Sequence, residues 1–117
     1  MQTMMTKMKE AALRSSLVET AKQAYTSSLC GAFTGNFSII DRELGRIYIT
    51  PEGIPWYELK PEHIVEIDIN RGRVLSALEG IKPSKEAYLH NLIYKEKKGV
   101  GAVVHTHSPY PFPRQEL

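Results

Sequence analysis

One cysteine, Cys30, stands in 117 residues, so no internal disulfide can form. That usage fits a reducing compartment, and a cytoplasmic location is the expectation. No apolar stretch approaches the ~20 residues of a membrane-spanning helix. The first ten residues, MQTMMTKMKE, lack both a long apolar core and a small-residue cleavage site. They read as a frayed terminus rather than a signal peptide. Charge of one sign is also missing: 15 Lys and Arg face 13 Asp and Glu, a formal net charge of +2. The densest basic run, Lys95-Glu96-Lys97-Lys98, carries its own acid, so no nucleic-acid arm is indicated. There is no internal repeat, and the length excludes a complete (β/α)₈ barrel of ~250 residues. What is present is a globular composition, 42% hydrophobic and 24% charged. That suits one small domain or a piece of a larger one.

The apolar spacing predicts a helix from about Ala11 to Leu29, with Leu13, Leu17, Val18, Ala21, Ala24 and Tyr25 recurring at steps of three and four. After Gly35 the period shortens. Asn36–Ile40 and Arg46–Thr50 read as two strands of a hairpin around Asp41–Gly45. Pro51-Glu52-Gly53-Ile54-Pro55 punctuates a loop, and Leu59–His63 suits a short helical turn with Pro61 near its start. Ile64–Ile69 alternates, with Ile64, Glu66 and Asp68 on one face and Val65, Ile67 and Ile69 on the other. Arg73–Leu78 can return beside it after the Asn70-Arg71-Gly72 turn. Ser84 is a favoured N-cap for a helix through Lys97, with Leu89, Leu92 and Ile93 as its apolar face. Val100–Val104 reads as a buried strand delivering His105-Thr106-His107. The expected fold is α/β or α+β, a largely antiparallel sheet with helices packed on it. Residues 1–9 are expected to be a flexible terminus, 10–110 the domain and 111–117 an irregular tail.

Chemistry concentrates in two segments. Residues two apart on a strand share a face, so His105 and His107 can offer two imidazoles to one metal ion. The alternative is a pair of surface or core histidines. In Lys82-Pro83-Ser84-Lys85-Glu86, a hydroxyl and backbone N–H groups at a helix start, with a lysine beside them, suit an anion. Glu86 can serve there as a base or a cation ligand, or simply complement the helix dipole. Gly35-Asn36 and Thr50-Pro51-Glu52-Gly53 can be plain turn chemistry. His90, four residues after Glu86, reads as a hydrogen-bonded supporting group. His63 reads as a surface residue and Cys30 as a small packing residue.

Taken in order, Gly35-Asn36-Phe37-Ser38, Ile49–Gly53, Leu59–Val65, Lys82–Glu86 and Ala102–Ser108 resemble the class II aldolase/adducin N-terminal domain family. Its members include L-fuculose-phosphate aldolase, L-ribulose-5-phosphate 4-epimerase and sugar-acid phosphate decarboxylases. The resemblance implies a zinc-type divalent ion held by His105, His107 and a later third histidine. It implies that Glu86 is the acid/base carboxylate, which also touches the metal when no substrate is bound. It implies a phosphate pocket of Asn36, Thr50, Gly53, Ser84 and Lys85, and a symmetric homo-oligomer, a tetramer in the family. The implied partner is a phosphorylated sugar or sugar acid, with neither nucleic acid nor membrane.

Three features depart from the family pattern. Lys85 stands where aldolases often have Ser, and the KPSKE form leans toward the decarboxylases. Glu52 places an acid in the phosphate loop. No histidine follows His107. The expectation is therefore a metal-dependent C–C lyase-type domain, aldolase or decarboxylase, impaired by truncation. The alternative is a non-catalytic, adducin-like scaffold or an inactive truncated paralogue.

Overall fold

The computed structural model describes residues 3–27, 31 and 34–106. Helix α1 spans Met4–Thr26, and Thr3 caps it by accepting the Thr6 backbone N–H at 3.1 Å. It begins seven residues before the predicted start at Ala11. The periodicity marks only the stripe that packs, Leu17, Val18, Ala21 and Ala24. The cap and the helix-forming Met and Lys residues carry the first turns out into solvent, where Met4, Met5 and Met8 are exposed.

Five strands follow among the described residues: β1 (Asn36–Asp41), β2 (Arg46–Ile49), β3 (Val65–Asp68), β4 (Val74–Ser76) and β5 (Ala102–His105). They form one sheet in the order β4-β3-β2-β1-β5, with every neighbouring pair antiparallel. The β1–β2 hairpin closes through Gly45, whose φ of 66° is open to glycine at little steric cost. Two single turns of 3₁₀ helix, Trp56–Glu58 and Pro61–His63, lie between β2 and β3. The second starts at proline, as expected.

The alternation in β3 is as read. Ile64 packs with Phe37, Tyr48 and the α1 stripe on one face. Val65 and Ile67 pack with Ile47, Ile49 and Tyr94 on the other. Tyr94 belongs to helix α2, Ala87–Glu96. The sheet is thus a middle layer between α1 and α2, and the predicted fold class holds. Among the described residues no helix is long and apolar enough to cross a membrane.

Three local expectations are corrected. Helix α2 starts after Glu86 rather than at Ser84, because the backbone of Ser84 is tied to the loop after β2. Its N–H donates to Thr50 O at 3.0 Å, beside a bridge between Pro51 and Pro83. Leu89 and Leu92 face solvent, and the buried positions of α2 are His90 and Tyr94. Strand β5 is an edge strand with Val104 56% exposed, since α1 lies over β1 to β3 and leaves that end of the sheet open. At the far end of α2, Arg42 ties down the loose carbonyls. Its guanidinium donates to Tyr94 O, Lys97 O and Val100 O at 3.3, 2.9 and 2.7 Å.

Under α1 lies a buried charge. Glu66 meets Arg46 Nη1 at 2.6 Å and Arg14 Nη2 at 3.5 Å, and Arg14 Nη1 also donates to Ile64 O at 2.5 Å. Burial, and then the nearby Glu10, push the Glu66 carboxyl above its usual range, and Arg46 partly offsets this. Arg14→Ala would leave that carboxylate with one cation fewer and is expected to cost about 3 kcal/mol at pH 7 by urea titration. Glu66 binds its proton more tightly folded than unfolded, so the cost should shrink as the pH falls toward 4.5. A cost independent of pH would show that Glu66 is not the group left stranded.

Candidate active site

Sheet register brings the candidate residues together. Asn36 pairs with His105 across β1 and β5, so both side chains stand on the face that α2 covers. Glu86, at the N-cap of α2, reaches the same point. Its Oε1 accepts the Asn36 Nδ2–H at 2.9 Å and lies 2.5 Å from His105 Nδ1. Both side chains of that pair are about one-third exposed, at 35% and 38%. Beneath them the seam between β1 and α2 is polar. His90 Nε2 bonds Asn36 Oδ1, His90 Nδ1 lies 2.6 Å from Ser38 Oγ, and Ser38 Oγ lies 2.8 Å from the Tyr94 hydroxyl. Burial pushes the His90 imidazole down to about 4, with Glu86 opposing and His105 adding to the effect.

A cleft of about 870 Å³ opens beside Glu86. One wall is Pro51–Ile54 and the other is Lys82 with Ser84–Glu86. The walls are stitched together by Glu52 N donating to Lys82 O and Ser84 N donating to Thr50 O, each at 3.0 Å. Asn36, Gly53, Ser84, Lys85 and Glu86 line the cleft; Thr50 does not. Thr50 is fully buried, and its hydroxyl accepts the Phe37 N–H at 3.2 Å. Its part in the site is to join β1 to the loop after β2. Ser84 Oγ accepts the Glu86 N–H at 3.2 Å. Its own N–H is engaged with Thr50, so the expected open helix start is partly closed. Glu52 does line the cleft, facing an acid into the space that Lys82 and Lys85 share.

His107 and Cys30 lie outside the described residues. His63 Nδ1 accepts the Lys60 N–H at 3.0 Å, away from the cleft. Among the described residues no group of three or more His, Cys, Asp or Glu side chains is gathered to hold a metal ion. The imidazole nitrogen and carboxylate oxygen that His105 and Glu86 bring into contact are nonetheless donor types that fit a zinc-type ion.

The motifs left Lys82, Ser38 and Tyr94 without roles. A signal for the seam was present. Asn36 and Ser38 alternate on one strand face, and Glu86, His90 and Tyr94 recur at four-residue spacing.

The profile of the family described as "Class II Aldolase and Adducin N-terminal domain" matches residues 15–112. The chain belongs to that family. It is 38% identical over 97 residues to the 5-deoxy-D-ribulose 1-phosphate aldolase of Bacillus thuringiensis serovar kurstaki, a match covering 83% of this chain and 44% of the relative. It is 37% identical over 76 residues to the L-ribulose-5-phosphate 4-epimerase UlaF of Salmonella paratyphi C, covering 65% of this chain and 32% of that one. Among solved structures, an L-fuculose 1-phosphate aldolase superposes with a TM-score of 0.78 at 33% identity, covering 84% of this chain and 45% of that one. The chain spans less than half the length of each of these relatives.

Because His90 holds its proton less tightly folded than unfolded, the unfolded chain gains a proton first as the pH falls. Stability present above pH 6.5 should be lost toward pH 4, on the order of 3 kcal/mol in full. Paired urea titrations of wild type and His90→Gln should show that slope only in the wild type. Parallel slopes would mean that His90 takes up its proton without cost to the fold.

Proposed function

We propose that this domain carries the proton-transfer and substrate-holding groups of a metal-dependent class II aldolase acting on a phosphorylated sugar. Glu86 is the general acid/base, and His105, His107 and Glu86 are the metal donors. The observation that carries this reading is the carboxylate of Glu86, held by Asn36 and His105 at the edge of a cleft that two lysines line. Cleaving a C–C bond beside a ketone requires a proton to leave a substrate hydroxyl and another to reach the carbon that keeps the electron pair. A partly exposed carboxylate fixed by two neighbours can carry both transfers. When bound, a zinc-type ion supplies a Lewis acid for the negative charge that develops on the substrate oxygens. Lys82 and Lys85 offer point charges to the phosphate, and Ser84 adds a hydroxyl to the same lining. Binding the phosphate away from the reacting carbon lets that affinity orient the substrate.

The names of the relatives favour a ketose phosphate over a sugar acid. The KPSKE form alone supports the sugar-acid substrate and decarboxylation. The 4-epimerase relative supports a second reading, in which the same bond is broken and remade on the other face of the carbonyl. Assembly as a symmetric homo-oligomer and a cytoplasmic setting belong to the same proposal.

The test uses the full chain with added zinc. Zinc is expected to shift the NMR signals of His105 and Glu86, and inorganic phosphate those of Lys82 and Lys85. With 5-deoxyribulose 1-phosphate, fuculose 1-phosphate, ribulose 5-phosphate and a sugar-acid phosphate as a panel, turnover should depend on zinc. Glu86→Gln should lower kcat by about 10²–10⁴-fold with KM little changed, while Lys85→Ala should act mainly on KM. Zinc and phosphate that leave these four residues unperturbed would defeat the proposal.

A further inference from the structure

The buried polar line between β1 and α2 has a direction, and counting donors fixes it. An ionised carboxylate only accepts, so the atom of Asn36 that faces Glu86 at 2.9 Å is the amide nitrogen. The amide oxygen then faces inward. It too only accepts, so the His90 nitrogen against it, Nε2, carries a proton. A neutral ring with its proton on Nε2 has a bare Nδ1, which accepts the Ser38 hydroxyl proton at 2.6 Å. With that proton committed, Ser38 Oγ accepts from the Tyr94 hydroxyl at 2.8 Å. From Tyr94 to Asn36 each donor points along the line toward Glu86, and bonds aligned in this way polarise one another.

We propose that His90 is a positioning residue for Glu86. Fixed as its Nε2–H tautomer by Ser38 and Tyr94, it orients the Asn36 amide so that the NH₂ group holds the Glu86 carboxylate at the cleft. The functional weight of this device rests on Glu86 being the acid/base, but its geometry does not. Without a donor at His90, nothing on the inner side selects the amide oxygen over the nitrogen. The Asn36 side chain can then turn its oxygen toward Glu86, setting acceptor against acceptor. His90 itself is 1% exposed and stands behind Asn36, so it acts on the site through that amide and not by contact with substrate.

Long-range ¹H–¹⁵N spectra of the full chain at pH 7 are expected to show His90 as the neutral Nε2–H tautomer. One Asn36 side-chain amide proton is expected to shift in Glu86→Gln. His90→Gln keeps a donor near the place of Nε2 and should retain the Asn36 signal. His90→Leu, checked for folding by its Tm, should lose that signal. It should also lose about 10–100-fold in zinc affinity, or in kcat with KM little changed. If His90→Leu does not fold, Ser38→Ala decides: it should mix the His90 tautomers and weaken the Asn36 shift. An Nδ1–H tautomer in the wild type, or an Asn36 amide indifferent to Glu86→Gln, would overturn the proposal. So would equal losses in His90→Gln and His90→Leu that track their stabilities. A wild-type chain that neither binds zinc nor turns over any substrate would defeat the role given to Glu86. The tautomer and amide signals would then still decide whether His90 positions it.

Discussion

A sheet face buried under a helix is ordinarily apolar, because an unpartnered polar group there costs ~1–3 kcal/mol. Here the end of β1 sets Asn36 and Ser38 against His90 and Tyr94, and all four are buried and bonded to one another. Leucines pack against a sheet in many registers, but this seam has essentially one. Moving α2 along its axis by a turn would put Glu86 or Tyr94 where His90 now stands, and neither can both accept from Ser38 and donate to Asn36 as the imidazole does. The position of α2 is therefore set by hydrogen bonds, and with it the position of Glu86 at its N-terminus. Arg42 secures the other end of the helix through three backbone carbonyls, so the seam is not left to hold α2 alone.

The apolar layers supply the frame in which that seam is useful. The α1 stripe, Phe37, Tyr48, Trp56 and Ile64 fix one face of the sheet, with the Phe37 and Trp56 rings edge to face at 5.4 Å. Phe37 lies between Asn36 and Ser38 in sequence and points the opposite way, so burying it under α1 commits both polar neighbours to α2. Pairing of β5 with β1 then places His105 opposite Asn36. The contact of Asn36, Glu86 and His105 is thus the product of strand alternation and one register.

That dependence explains what the sequence could and could not disclose. The hairpin, the alternation of β3 and the short turn at Pro61 were legible because each is a local pattern with a local cause. The start of α1 was not, since its first turns are capped and exposed and so carry no buried stripe. Helix α2 misled for a different reason. Leu89 and Leu92 look like a core face, yet the helix buries His90 and Tyr94, and only the strand opposite makes that arrangement favourable. Ser84 looked like a cap because the pairing of its N–H with Thr50 lies 34 positions back in the chain, beyond any local window. Glu86 and His105 were legible as site residues through their motifs, and the structure brings them into contact. The support beneath them is a relation between two elements that no single motif contains.

The cleft itself argues for recognition by shaped hydrogen bonding more than by field. Lys82 and Lys85 are exposed, and Glu52 shares the lining with them. An anion there meets two cations and two acids, Glu52 and Glu86, in contact with water, where screening over ~8 Å at physiological salt leaves little long-range attraction. The backbone bonds between Glu52 and Lys82 and between Ser84 and Thr50 hold the two walls at a fixed spacing. Gly53, with φ of 79° and nothing within 4 Å of where a Cβ would stand, keeps one wall low. The cleft of about 870 Å³ is thus weakly charged and bounded by two walls tied to one another. Position and donor geometry, rather than net charge, therefore have to supply the selectivity, and the rigidity of the seam under Asn36 is what makes position available for that purpose.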